Sequence, residues 1–253
     1  MKKIIVTGCS QGIGLFIANE LVKLKYEVYG ISRKKPSLPF NFNFISCDIT
    51  NAESVINVFS KFRRDSEVYA LINVAGISSM NLLIATPEDT IKRIIETNLL
   101  GTIYCTKAII PSMIKSKNGR IINFSSIAVN IGAKGEASYI ASKGGVEAFS
   151  RSIARELSPA NITVNTVSPA FIKTRLSAGL SETIKKTVIE RQIIESECSL
   201  SDVFDCIKII LSPELIKGGT IIFIPFSKTA GLYEEEAVCP FIEASVLSIV
   251  NST

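Results

Sequence analysis

The chain contains no histidine at all. That absence excludes a Ser-His-Asp triad, the usual imidazole general base, and zinc or iron sites built on imidazole. Any proton transfer must then use Tyr, Lys, Cys, Asp or Glu. Also missing is an apolar run near the roughly 18–20 residues that span a bilayer. Met1-Lys2-Lys3 leads only into Ile4-Ile5-Val6 before Thr7-Gly8 ends the run, too short for a signal-peptide core, so no membrane and a cytoplasmic location are expected. The six cysteines, Cys9, Cys47, Cys105, Cys198, Cys206 and Cys239, form no C-x-x-C and suggest no metal site or disulfide framework. Basic residues occur in pairs such as Lys34-Lys35 and Lys185-Lys186 rather than in blocks, so a net charge of +5 does not imply nucleic acid.

What is present fits a globular α/β protein. The 253 residues are 47% hydrophobic and 20% charged, with no internal repeat or low-complexity linker, so one domain over 1–253 is expected. Near-continuously apolar runs read as strands buried on both faces: Lys3–Thr7, Glu27–Ser32, Asn43–Cys47, Tyr69–Asn73, Arg120–Phe124, Thr163–Val167 and Thr220–Ile224. Helical patterns separate them near Ile13–Leu24, Ala52–Phe62, Pro87–Lys115, Tyr139–Leu157, Glu182–Glu195 and Asp202–Ser212. The alternation predicts a Rossmann-type doubly wound parallel sheet of about seven strands, with helices on both faces. Beyond Pro225 the rhythm is lost.

The first strand runs into Thr7-Gly8-Cys9-Ser10-Gln11-Gly12-Ile13-Gly14, and a helix opens at about Ile13. Glycines there allow torsions and approaches that a Cβ blocks, and the helix start offers N–H groups and a positive dipole end to a pyrophosphate. Strand two ends Ser32-Arg33-Lys34 with no carboxylate for a ribose 2′-hydroxyl. Ser32 can donate a hydrogen bond and Arg33 can pair with a 2′-phosphate, so NADP(H) is expected over NAD(H). Tyr139-Ile140-Ala141-Ser142-Lys143 places a phenol and an ammonium one turn apart on one helix face. A close ammonium is expected to lower the phenol pKa toward the working range. Ser126 ends strand five, where a hydroxyl can donate to a substrate carbonyl oxygen.

With its G-x-x-x-G-x-G spacing, followed by Y-x-x-x-K, the sequence resembles the short-chain dehydrogenase/reductases in their smaller form, over roughly residues 1–175. Residues Gly8, Ser10, Gln11, Gly12, Ile13 and Gly14 match the family's cofactor loop. By the same resemblance Asp48 accepts from the adenine amino group with Ile49 beside it, and the Asn73-Val74-Ala75-Gly76 turn packs under the cofactor, involving Asn73, Ala75 and Gly76. Asn98 matches the helix asparagine of a water relay. Pro169, Ile172 and Thr174 match the segment over the nicotinamide, although Ala170 stands where the family has glycine.

The implied chemistry is reduction of a ketone to a secondary alcohol, or the reverse, by hydride transfer. Ser126 orients the oxygen, Tyr139 passes the proton, Lys143 holds the ribose and tunes the tyrosine, and Asn98 supports the relay; Tyr139 and Lys143 thus also touch the cofactor. The pattern is nearest to 3-oxoacyl-acyl-carrier-protein reductases, which makes an acyl-carrier protein a candidate partner, with Lys117 as a candidate docking cation. Sugar, polyol or secondary-metabolite substrates stay open. The resemblance further implies a homo-oligomer, dimer or tetramer, through the helices at 87–115 and 139–157. It implies a substrate lid over about 175–198, and the tail at about 225–253 departs from the pattern. Two competing readings are an NADP-binding sensor of the same fold, disfavoured because tyrosine and lysine are both kept, and an extended sugar-nucleotide epimerase, which expects other glycine spacing.

Overall fold

The computed structural model describes residues 1–174, 186, 198–212 and 222–223. The expected lid and tail lie outside these residues, apart from Lys186 and Cys198, as does most of the helix expected over Glu182–Glu195.

The strands are β1 (Lys3–Thr7), β2 (Glu27–Ser32), β3 (Asn43–Ser46), β4 (Val68–Asn73), β5 (Gly119–Phe124), β6 (Ile162–Val167) and β7 (Ile222–Phe223). All pair in parallel, in the order β3-β2-β1-β4-β5-β6-β7. Strand order reverses between β1 and β4, which opens a crevice at their carboxyl ends.

The helices are α1 (Gly12–Lys23), α2 (Ala52–Ser60), α3 (Glu88–Ile95), α4 (Gly101–Ser116), α5 (Ala128–Ile131), α6 (Ala137–Leu157) and α7 (Leu200–Leu211). Alternation along the strands divides the core in two. Ile4 and Val6 of β1 pack with Leu15, Ile17 and Leu21 of α1 and with Val203, Phe204 and Ile207 of α7. Ile5 points the other way, joining Val55 and Phe59 of α2 and Ile109 and Met113 of α4.

Helix starts follow local side-chain chemistry. Asn51 caps α2 by accepting from the Ser54 N–H at 2.8 Å, and Ser199 with Asp202 forms a reciprocal capping box on α7. The single helical stretch expected over Pro87–Lys115 is divided: α3 passes through a π turn, Glu96–Leu100, before α4 begins. A π turn widens the hydrogen-bonded ring by one residue, and here it carries Asn98. No described helix is long and apolar enough to cross a membrane.

Candidate active site

The crevice begins at the loop between β1 and α1. Gly8 and Gly12 have φ of +74° and +58°, in the left-handed region that side chains with a Cβ adopt at a cost. A Cβ on Gly8 would come within 2.8 Å of the Ala75 backbone nitrogen, and one on Gly14 would strike the Gly8 backbone. The loop is therefore pressed against the turn that follows β4, and the Thr7 hydroxyl seals that junction by accepting from the Ala75 N–H at 3.2 Å. Gln11 is the extended residue at the start of α1, whose first turn holds no acidic side chain. The start of α1 thus turns its positive dipole end to the crevice, with no acidic side chain in its first turn.

At the end of β2, Ser32 lies 3.5 Å from the Cys9 thiol and donates to the Lys34 carbonyl at 2.7 Å, while Arg33 is exposed. Asp48 accepts from both the Thr50 N–H and the Thr50 hydroxyl, at 3.0 and 2.8 Å, and Ile49 is buried against Gly101. The Asn73 side chain turns away from the crevice. It donates to Asn123 Oδ1 at 2.9 Å and to the Thr106 hydroxyl at 3.2 Å, tying β4 to β5 and α4. Its role visible here is to hold the sheet. Pro169 presents its carbonyl to the Ile127 N–H, and Ile172 is buried in the apolar layer with α1 and α7.

Asn98 is 0% exposed, and its amide is fully engaged. Its Oδ1 accepts from the Ile77 N–H at 2.8 Å; its Nδ2 donates to the Ile77 carbonyl and the Ser142 hydroxyl, each at 2.9 Å. Ser142 in turn donates to the Tyr139 carbonyl at 2.6 Å. One buried amide therefore couples the turn after β4 to the helix that carries the tyrosine and the lysine. Ser142 is a positioning residue that spacing alone did not expose, because a helical serine gives no signal until its partner is known. Ser125, in the loop after β5, donates to Glu147 at 2.6 Å.

Tyr139 and Lys143 share one face of α6 and are both buried. Lys143 Nζ lies 5.9 Å from the phenol ring centroid and donates to the Phe124 carbonyl at 2.7 Å. A Cβ on Gly76 would approach Asn98 Oδ1 at 3.3 Å and Lys143 Nζ at 3.4 Å, so the glycine leaves the ammonium its room. Burial dominates the titration of both groups. It pushes the Lys143 ammonium down to about 8 and the Tyr139 phenol up to about 12, with Glu136 adding to the rise and a hydrogen bond from Ser126 opposing it. This corrects the expectation that the ammonium lowers the phenol pKa. The lysine gives one of its three N–H donors to a carbonyl, and loss of water favours the neutral phenol. Ser126 also accepts from the Ala128 N–H at 3.2 Å, at the entry to α5.

Lys117 needs a second correction. It ends α4 in a left-handed conformation just before β5, whereas Ser126 lies beyond the far end of that strand. Six strand residues at about 3.3 Å each separate the two, so Lys117 is no cation of the site rim.

The short chain dehydrogenase family model matches residues 2–185. The 3-oxoacyl-acyl-carrier-protein reductase FabG of Salmonella typhimurium is 37% identical over 189 residues, covering 72% of this chain and 78% of that protein. Its counterpart in Chlamydia pneumoniae is 34% identical over 195 residues, covering 73% and 79%. Among solved structures, ligand-free aldohexose dehydrogenase of Thermoplasma acidophilum is similar, with a TM-score of 0.80, 29% identity, and coverage of 93% of this chain and 97% of that one. An actinorhodin polyketide ketoreductase solved with NADPH shares the fold at a TM-score of 0.78 and 24% identity, covering 88% and 96%. Sheet order, glycine turn and family match agree: the chain belongs to the short-chain dehydrogenase family, oxidoreductases that act on CH–OH and C=O groups.

Proposed function

We propose that this oxidoreductase uses NADP(H) to interconvert a ketone and a secondary alcohol, with Tyr139 as the proton donor in reduction. The observation that carries the reading is the buried, neutral phenol held by Ser126 on the same helix face as Lys143. The two FabG relatives favour a 3-oxoacyl thioester as substrate, on an acyl-carrier protein. The similarity to an aldohexose dehydrogenase favours a sugar or polyol as the second reading.

The crevice fits a dinucleotide: positive-φ glycines at Gly8 and Gly12 leave backbone open to a pyrophosphate, and no acidic side chain stands in the first turn of α1. The loop residues Gly8 to Gly14 would hold the pyrophosphate, Ser32 and Arg33 the 2′-phosphate, and Asp48 and Ile49 the adenine. Ala75, Gly76 and Lys143 would hold the ribose near the nicotinamide, and Pro169, Ile172 and Thr174 its carboxamide. When bound, NADPH supplies the hydride.

The remaining work falls to side chains. Ser126 accepts an N–H from Ala128 and is hydrogen-bonded to Tyr139, so a substrate oxygen entering between them would take the Ser126 proton in place of the phenol oxygen. Tyr139 is protonated at neutral pH and delivers that proton as negative charge grows on the oxygen. Lys143 and Asn98 stand behind it, the first as the buried cation, the second as the link that holds the turn after β4 against α6. The whole chain is proposed to act as one dinucleotide-binding and catalytic unit.

NADPH oxidation followed at 340 nm against ketones, including acetoacetyl thioesters, tests the reading. Tyr139→Phe should reduce turnover by at least 10³-fold, an order-of-magnitude figure for losing a general acid, while NADPH still binds. Turnover near that of the unmodified enzyme would overturn it. NADPH binding without reduction of any ketone would instead favour a sensor.

A further inference from the structure

Glu136 is the residue just before the helix that bears Tyr139, three residues ahead of it in sequence, and its own backbone is not helical. It occupies the helix-start position, yet its carboxylate does not cap the helix. Instead it turns toward the loop after β4, where the Ser78 hydroxyl donates to Oε1 at 3.4 Å. The backbones of the same two loops are joined one step further out by the Asn81 N–H, which donates to the Gly135 carbonyl at 3.0 Å. Ile77, Ala133 and Ile140 pack around Tyr139 on this side.

The carboxylate is thus half-buried between two clamped loops beside the phenol. Burial raises its pKa, and its charge is felt at Tyr139. Its Oε1 accepts a long hydrogen bond from a neutral hydroxyl, and no salt bridge to Glu136 occurs among the described residues. Lys143 lies 5.9 Å from the phenol ring centroid and donates to the Phe124 carbonyl. An anion brought up on the Glu136 side would meet a negative charge that no ion pair offsets among the described residues, in a medium of reduced dielectric where such repulsion is stronger than in water. A neutral carbonyl compound meets no such barrier, and one bearing a hydroxyl or amide N–H gains an acceptor.

We infer that Glu136 is a specificity-determining residue that excludes carboxylate-bearing ketones and admits neutral ones, esters, thioesters and hydroxyketones among them. The inference rests on the ketone-reductase reading and names the substrate class of that site. Like-charge juxtaposition of this kind is how sites reject wrong partners.

The test is a pair of ketones that share the reacting group and differ in charge: ethyl acetoacetate and free acetoacetate, assayed with NADPH at pH 8. The unmodified enzyme should favour the ester in kcat/KM by at least about tenfold, one decade being worth about 1.4 kcal/mol. Glu136→Gln keeps shape and an acceptor for Ser78 but removes the charge. It should shrink the ester-to-acid ratio at least fivefold, through a lower KM for acetoacetate, with kcat on the ester within threefold. Ser78→Ala keeps the carboxylate and should keep the ratio. A ratio unchanged by Glu136→Gln, with both ketones still reduced, overturns the inference alone. If the unmodified enzyme reduces neither ketone, nor any thioester, the reductase reading falls and the inference with it.

Discussion

Replacing Asn98 by alanine is the sharpest probe of how this site is held. The side chain is fully buried and satisfies both polar groups of the Ile77 backbone, at 2.8 and 2.9 Å. Alanine leaves the Ile77 N–H and carbonyl without these partners. A buried polar group stripped of its partner costs about 1–3 kcal/mol. Ser142 loses an incoming donor but keeps its own bond to the Tyr139 carbonyl, so that loss is the smallest. Two stranded groups, partly relieved by water entering the space, predict a loss of about 2–4 kcal/mol. Against a typical total of about 5–15 kcal/mol, that is a large share. For a chain of this size it corresponds to a fall in Tm of roughly 5–15 °C.

The functional effect should follow from the same bonds. With the amide gone, the turn after β4 and helix α6 lose their direct tie, and Tyr139 and Lys143 drift from the crevice. Misplacement by about 1 Å costs on the order of 10²-fold in rate, so kcat should drop by about that factor while KM for the ketone changes little. Urea unfolding followed by circular dichroism gives the first number, and steady-state NADPH oxidation gives the second. A stability loss below 1 kcal/mol together with full kcat would refute the reasoning.

Lys143 makes a pH prediction. Burial brings its folded pKa down to about 8 from the ordinary lysine value of 10.5, so between those values the folded state binds fewer protons than the unfolded one. The burial penalty is fully present below about pH 8 and is relieved as pH rises toward 10.5, so this lysine makes stability rise with pH there. Lys143→Met should flatten that rise, by roughly 2–4 kcal/mol between pH 7 and 10, in urea titrations at each pH. Tyr139 acts oppositely but only above pH 10, because its raised pKa makes the folded state bind more protons from there to about 12. Gly14→Ala should weaken NADPH binding by more than tenfold, read by cofactor fluorescence, because its Cβ would overlap the Gly8 backbone. Arg33→Ala should reduce the preference for NADPH over NADH by at least tenfold in kcat/KM, about the worth of one charge-assisted pair.

Much of the architecture was legible before any coordinates. Strand and helix periods placed β1, β2, β4, β5 and β6 to within about a residue, since runs such as Ile4-Ile5-Val6 and Ile121-Ile122 have no stable place except a sheet covered on both faces. The division of α3 from α4 is not read from the period over Pro87–Lys115, because a π turn depends on what its extra residue reaches. Sequence leaves Thr50 or Asn51 as the cap of α2, and the structure gives that role to Asn51.

The missing histidine, the glycine turn and the Tyr139–Lys143 spacing are properties of the chain itself, and they specify which groups can move a proton. Tertiary structure decided what those groups experience. Ile77 and Ser142 find Asn98 across the fold, Phe124 supplies the carbonyl that holds Lys143, and burial in the packed core pushes the Tyr139 phenol further up and the Lys143 ammonium down. Spacing along a helix brings two side chains to one face. Only burial and partners from distant strands set their protonation, because a pKa depends on lost water and nearby dipoles that no local pattern encodes.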